Sequence, residues 1–251
     1  MAEQIEGRLV SAAGSRRGLP PDAEGLDATG VLALALERIG RDRLVLVSSF
    51  GVEDMVLLDL LCRIEPSPRV ATLDTGRLPE ETYAVMEAAR ERYGIELEVY
   101  SPDAAAIEEL VRREGPNLMY RSVENRLSCC EIRKVQPLRR ALSTADGWIT
   151  GLRRDQTPNR RAVPKLGVDL EHGLVWKAVP LADWSSDDVW AYVHREGVPY
   201  NALHDAGYPS IGCAPCTRAV APGDDPRSGR WWWEQEGSRE CGLHVPRGGT
   251  S

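Results

Sequence analysis

The 251-residue chain lacks any apolar run approaching the ~18 residues that cross a bilayer, so no membrane-spanning helix is expected. Its first 25 residues, MAEQIEGRLVSAAGSRRGLPPDAEG, hold no continuous apolar block and carry acids early. They do not read as a secretory signal, and the expected compartment is the cytoplasm. Structural disulfides are rare there, so the six cysteines point to metal binding or catalysis. Net positive charge is also missing. At −7 the chain has no global footprint of a nucleic-acid binder, and neither nucleic acid nor membrane is an expected partner. No internal repeat and no low-complexity tract interrupt it. With 42% hydrophobic and 27% charged residues, it has the composition of one sizeable packed domain or two small ones.

Strand-like and helix-like segments alternate. RLVLVSS (43–49) is a buried strand, and VEDMVLLDLLCRI (52–64) has helical spacing. RVATLDTG (69–76) is a second strand ending in a turn. PEETYAVMEAARERYG (79–94) opens on proline and acids and stops on glycine, the marks of a helix. IELEVYSP (95–102) is a third strand and DAAAIEELVRREG (103–115) another helix. Residues 122–143 read helical, with a break or kink at Pro137. GWITGLRR (147–154) is a fourth strand running into a basic loop. This alternation predicts an α/β fold with a Rossmann-like parallel sheet and helices on both faces, whose ligands bind at the carboxyl ends of the strands. Beyond residue 162 come short β-like pieces such as LVWKAVPL (174–181). The helix SSDDVWAYVHREG (185–197) follows, with a Ser cap and a Gly stop. The expected organisation is an irregular segment 1–25, a nucleotide-binding unit 26–218 and a mobile tail 219–251, loosely packed except at WWW (231–233).

Cys129 and Cys130 are adjacent, and CAPC (213–216) supplies a CxxC pair. Four thiols in two tight groups suggest zinc or an iron–sulfur cluster. Two adjacent thiolates on one zinc ion close a cramped ring, whereas a four-iron cube offers each its own iron. Geometry therefore favours the cube and leaves zinc open. Cys62 sits in an apolar helix and reads as core. Cys241, in SREC followed by GLH, is a lone thiol in the tail and suits a nucleophile that must be alternately enclosed and exposed.

SSFGVED (48–54) follows the first strand and opens a helix, a place where backbone N–H groups can hold phosphate. It is neither a Walker A loop nor GxGxxG. LDTGR (73–77) and GLRRDQTPNRR (151–161) would line the same crevice, the latter with four arginines. Residues 121–161 hold ten basic side chains against four acids, which favours a small, multiply charged anion.

These stretches together, with GRWWWE (229–234) and ECGLH (240–244), resemble the assimilatory sulfonucleotide reductases, most closely the iron–sulfur adenylyl-sulfate (APS) reductases. The match runs from about residue 43 to residue 244. The resemblance implies an adenine-nucleotide α-hydrolase-like fold and reduction of APS to sulfite and AMP by reduced thioredoxin, in sulfate assimilation and cysteine biosynthesis. It implies a [4Fe–4S] cluster held by Cys129, Cys130, Cys213 and Cys216, with Lys134 between cluster and substrate. Ser49, Gly51, Asp54, Leu73 and Thr75 would hold the adenosine and its phosphate. Arg153, Arg154, Arg161, Arg227, Arg230 and His244 would bind the rest of the substrate, with Arg160 adjacent to Arg161 as the alternative. Cys241 would be the nucleophile and carry an S-sulfo intermediate. Three alternatives stand beside this. Reductases of the 3′-phosphorylated nucleotide (PAPS) share much of the pattern but lack the two cysteine pairs. A zinc-stabilised ATP-pyrophosphatase-type transferase expects SGGxDS where this chain has SSFGVED. A non-catalytic nucleotide sensor would bind without turnover. The oligomeric state is left open, a homo-oligomer included.

Overall fold

A computed structural model of the chain describes residues 22–234 and Leu243. Cys241 and His244 lie outside the described residues, as do positions 1–21 and most of the tail beyond Glu234.

The chain forms α1 (Ala28–Ile39), β1 (Leu44–Ser48), α2 (Val52–Ile64), β2 (Arg69–Leu73), α3 (Glu80–Tyr93), β3 (Leu97–Tyr100) and α4 (Ala104–Glu114). Then come α5 (Val123–Cys130), α6 (Gln136–Leu142), β4 (Gly147–Ile149), β5 (Leu166–Asp169), β6 (Val175–Ala178) and α7 (Ser186–Glu196). The six strands lie in the order β3-β2-β1-β4-β6-β5. Five are parallel, as the alternation predicts. The departure is β5, which pairs antiparallel with β6 at the sheet edge. The residues between these two strands are too few for a crossover, so they can only make a hairpin. Neither α1 nor β5 is among the elements expected from the pattern above.

Parallel strands must bury both faces, and β1 shows how. Leu44 and Leu46 join the core beneath α1, α2, α3 and α7, while Val45 joins Leu138 and Leu142 of α6 on the other side. Helix ends follow the expected chemistry. Ser185 and Asp188 form a reciprocal cap on α7, and Gly94 and Gly197 end α3 and α7 with φ of +63° and +62°.

Pro137 does not break the helix as expected. It follows a π-helical turn within a helical run that continues from Val123 to Leu142, and the i→i−4 ladder is already interrupted there. A π-helical turn, Glu131–Val135, joins α5 to α6, and Gln136 N–H reaches back to the Glu131 carbonyl. The adjacent cysteines sit immediately before this turn. The described tail is also tighter than its composition suggests: Arg230, Trp231 and Glu234 are buried.

β1 leads to β2 and β3 on one side of the sheet, and β4 lies on its other side. The crevice between β1 and β4 is therefore the topological switch point, where such sheets bind ligands.

Candidate active site

The loops leaving β1, β2 and β4 converge on one cavity, lined by Ser48 and Ser49, by Thr72, Leu73 and Thr75, and by Thr150 and Gly151. The β1 turn is held rigidly. Phe50, the chain's one phenylalanine, is buried with φ +56°, and its N–H donates to Ser48 Oγ at 3.0 Å. A bulky residue held in the left-handed region is strained, and such strain concentrates at functional turns.

Asp54, at the start of α2, staples this turn to the β4 loop. Its carboxylate accepts from Ser49 N at 2.6 Å, Ser49 Oγ at 2.7 Å and Gly151 N at 3.1 Å. Burial pushes its carboxyl up to about 6, against the pull of the Ser49 hydrogen bonds. The close approach requires glycine at 151, because a Cβ there would lie 2.5 Å from Asp54 Oδ1.

Among the described residues, four cations line the cavity, Lys134, Arg160, Arg227 and Arg230, and Glu53 and Asp54 are the acids. Of the arginine pair, the 3₁₀ turn Pro158–Arg160 directs Arg160 into the cavity, buried, while Arg161 is exposed on a neighbouring crevice. Arg153 and Arg154 also line that crevice. Arg153 is paired with Glu53 at 3.1 Å and Asp155 at 2.8 Å, and Arg154 with Glu24 at 2.6 Å. Gly51 caps α2 and is not among the cavity's lining residues. Ser49, Asp54, Leu73, Thr75, Lys134, Arg227 and Arg230 all line this one cavity. Gln156 and Trp231 line the cavity without having been singled out as site residues. Both sit inside quoted motifs, RRDQ and GRWWWE, which is the signal that could have found them.

A second, smaller cavity adjoins the first. Cys129, Cys130, Cys213 and Cys216 all line it, each buried and none in a disulfide. The two pairs come from the end of α5 and from the 3₁₀ turn Ala214–Cys216. That turn is pinned to the β2 loop: Ala214 N–H donates to the Arg77 carbonyl at 2.8 Å, and Thr75 Oγ1 lies 3.3 Å from Cys213 Sγ. Arg133 Nη1 donates to the Thr75 carbonyl at 2.6 Å. Burial raises the Cys129 thiol, opposed by Arg133 and Arg77, and pushes Cys216 up to about 12. Lys134, Arg230 and Trp231 belong to both cavities and form their shared wall. The Trp231 ring is flanked by two guanidinium groups, Arg126 at 4.7 Å and Arg230 at 4.6 Å from its centroid.

The phosphoadenosine phosphosulfate reductase domain family matches residues 43–219. A protein named adenosine 5′-phosphosulfate reductase from Sinorhizobium fredii is 51% identical over 91% of this chain and 90% of its own length. A protein of the same name from Allochromatium vinosum is 49% identical over 81% of this chain and 79% of its own. Among solved structures, the phosphoadenylyl-sulfate (PAPS) reductase of Candida auris superposes with a TM-score of 0.66 at 25% identity, covering 88% of this chain and 98% of its own. The FMN adenylyltransferase of Candida glabrata shares the fold alone, with a TM-score of 0.56 at 14% identity over 92% of this chain and 81% of its own. The crevice at the switch point is in keeping with these matches, which lead to one assignment: the chain belongs to the phosphoadenosine phosphosulfate reductase domain family.

Proposed function

We propose that this chain reduces adenylyl sulfate to sulfite and AMP, using a thioredoxin-type dithiol as reductant. One observation carries the reading: a cation-lined nucleotide cavity shares the wall Lys134–Arg230–Trp231 with a cavity lined by four buried thiols. High identity to proteins named for this reaction supports it.

The thiols fit a [4Fe–4S] cluster. Cys129, Cys130, Cys213 and Cys216 all line one small cavity, which brings the two pairs together. Burial that raises the thiols makes bare thiolates unfavourable there, and iron would offset that cost. Arg133 Nε and Trp231 Nε1 belong to residues lining the cysteine cavity. Both are buried without a hydrogen-bond partner among the described residues, so they supply donors for a sulfur-rich anionic group. Cys129, Cys130, Cys213 and Cys216 would hold the cluster, which would supply structural rigidity and electrostatic polarisation rather than electrons.

The chain's own residues then perform a two-stage transfer. The turn 48–51, fixed by Asp54, receives the nucleotide at the switch point. Cys241 thiolate attacks the sulfur of the sulfonate, and the sulfur–oxygen bond breaks with its electron pair leaving on AMP. Cys241 now carries an S-sulfonate. A thiolate of the reductant attacks Cys241 Sγ, and sulfite departs with the sulfur–sulfur bonding pair. The second reductant thiol resolves the mixed disulfide, so the dithiol provides both electrons. Anion attacking anion is opposed by charge. Lys134, Arg160, Arg227 and Arg230 reduce that opposition and stabilise charge growing on the leaving phosphate. Residues 26–218 would form the nucleotide unit, and 219–251 would carry the nucleophile. A cytoplasmic location suits a reaction that needs free thiols.

The test is sulfite release from APS and from PAPS by anaerobically purified protein with reduced thioredoxin. APS turnover by a brown protein is expected. Release from PAPS alone, or a colourless zinc protein inert toward APS, would overturn the reading.

The Asp54 staple gives a second expectation. Gly151→Ala puts a methyl against Asp54 and Glu53, overpacking worth about 1–3 kcal/mol. AMP affinity by calorimetry should weaken roughly tenfold or more, while visible absorbance stays unchanged.

A further inference from the structure

Gln156, in the loop after β4, lines both the nucleotide cavity and the crevice beside it. Its side-chain amide is engaged at both ends. Nε2 donates to Glu53 Oε1 at 3.0 Å. Oε1 accepts from the Arg153 backbone N–H at 3.1 Å and from Arg160 Nη1. Chemistry fixes which way the amide points. An ionised carboxylate only accepts and a guanidinium only donates, so the nitrogen faces Glu53 and the oxygen faces Arg160. The two partners come from separate elements: Glu53 from the first turn of α2, and Arg160 from the 3₁₀ turn Pro158–Arg160. Both also line the nucleotide cavity. A carboxylate and a guanidinium on one cavity attract each other, and a direct pair would cancel charge that an anionic substrate needs. Glu53 is engaged by the Gln156 amide and, at 3.1 Å, by Arg153 Nε.

We infer that Gln156 is a positioning residue for the reaction: as a neutral amide between Glu53 and Arg160, it holds the Arg160 guanidinium on the wall of the nucleotide cavity and keeps it from pairing with the carboxylate. This rests on the cavity binding adenylyl sulfate. The place calls for a neutral spacer that both donates and accepts. A carboxylate at residue 156 would pair with Arg160 and repel Glu53. An apolar side chain would leave the two charges to meet. The amide satisfies both groups and adds no charge, so the field of the cation stays directed at the substrate.

The experiment measures APS affinity by calorimetry, without reductant, in full-length, cluster-loaded protein carrying Cys241→Ser to block the transfer step. Gln156→Met, close to glutamine in length, should weaken APS binding about tenfold or more, the size of a lost hydrogen bond to a charged group. Placed on Arg160→Met, the same change should cost less than about twofold, since its effect passes through that guanidinium. An equal loss in the two backgrounds overturns the inference, because Gln156 then acts on its own. No loss from Gln156→Met in either background overturns it as well. The exchange Glu53→Gln/Gln156→Glu is a second test that keeps size and total charge. It moves the carboxylate next to Arg160, so APS affinity should again fall about tenfold. Wild-type affinity in the exchanged protein overturns the inference, since only net charge would then matter. Sulfite release by protein that retains Cys241 judges the reaction separately. If that protein releases no sulfite while the binding cycle holds, the assigned reaction fails and the placement of Arg160 stands.

Discussion

Replacing Cys241 by serine should abolish sulfite release, by at least about a thousandfold, while leaving nucleotide binding and colour intact. The size follows from the bonds involved. Serine is a poor nucleophile at neutral pH without an adjacent base. Even a successful attack would give an O-sulfate, with sulfur bonded to oxygen. A reductant thiol has no sulfur at residue 241 to attack, so sulfite cannot leave with a sulfur–sulfur bonding pair. The loss is therefore one of electron transfer, and slow acyl-like turnover cannot rescue it. The four thiols of the second cavity are untouched by this change, so visible absorbance should match wild type. Cys62→Ser is the control. Cys62 sits half-buried in α2, and burial pushes its thiol up to about 11, which keeps it protonated. That variant should turn over normally. Activity retained in Cys241→Ser would move the nucleophile elsewhere. Sulfite assays, AMP calorimetry and an absorbance scan decide among these outcomes.

The central α/β layer was legible because each signal in it is local. α2 begins at Val52 and ends at Ile64, where the apolar spacing places it, and α3 lies between a proline and a left-handed glycine. The strand-end loops could be assigned to one crevice because parallel topology leaves few alternatives. What was not legible depends on distant partners or side-chain direction. The helical reading of residues 122–143 holds, but nothing around Cys130 signals the π turn Glu131–Val135 that carries the helix on into Pro137. Arg160 and Arg161 are indistinguishable in sequence, and only the 3₁₀ turn at Pro158 separates a buried guanidinium from an exposed one. The four arginines of the β4 loop looked equivalent, yet Arg153 and Arg154 are engaged with Glu53, Asp155 and Glu24. Glycine- and proline-rich composition suggested a loose tail. Its packing up to Glu234 rests on a pairing with a residue 108 positions earlier.

That pairing is the second large effect expected. Arg126 and Glu234 have side chains only 3% and 4% exposed, with Arg126 Nε 2.5 Å from Glu234 Oε1 and Nη2 3.1 Å from Oε2. Arg126 belongs to α5, one turn before the adjacent cysteines, and its guanidinium also covers the Trp231 ring. The pair thus ties the tail to the wall shared by the two cavities. Arg126→Met leaves the Glu234 carboxylate buried without its counter-ion. Breaking a buried pair from one side costs about 3–5 kcal/mol, and in a chain of this size each kcal/mol lowers the melting temperature by roughly 2–4 °C. A fall of about 6–20 °C in scanning calorimetry is expected, with iron content falling alongside it as the α5 end loosens. Glu234→Leu should also cost stability, because it removes the carboxylate that pairs with the buried guanidinium. The double variant Arg126→Met/Glu234→Leu removes both charges and should recover most of the loss, since apolar replacements of buried pairs are often neutral. Recovery of stability without recovery of sulfite release would show that the pair serves the site beyond folding, through the Arg126 guanidinium on Trp231. If the single variants melt within about 2 °C of wild type, the pair is solvated in solution, and the tail's packing rests on its other contacts, such as Trp231 and Arg230.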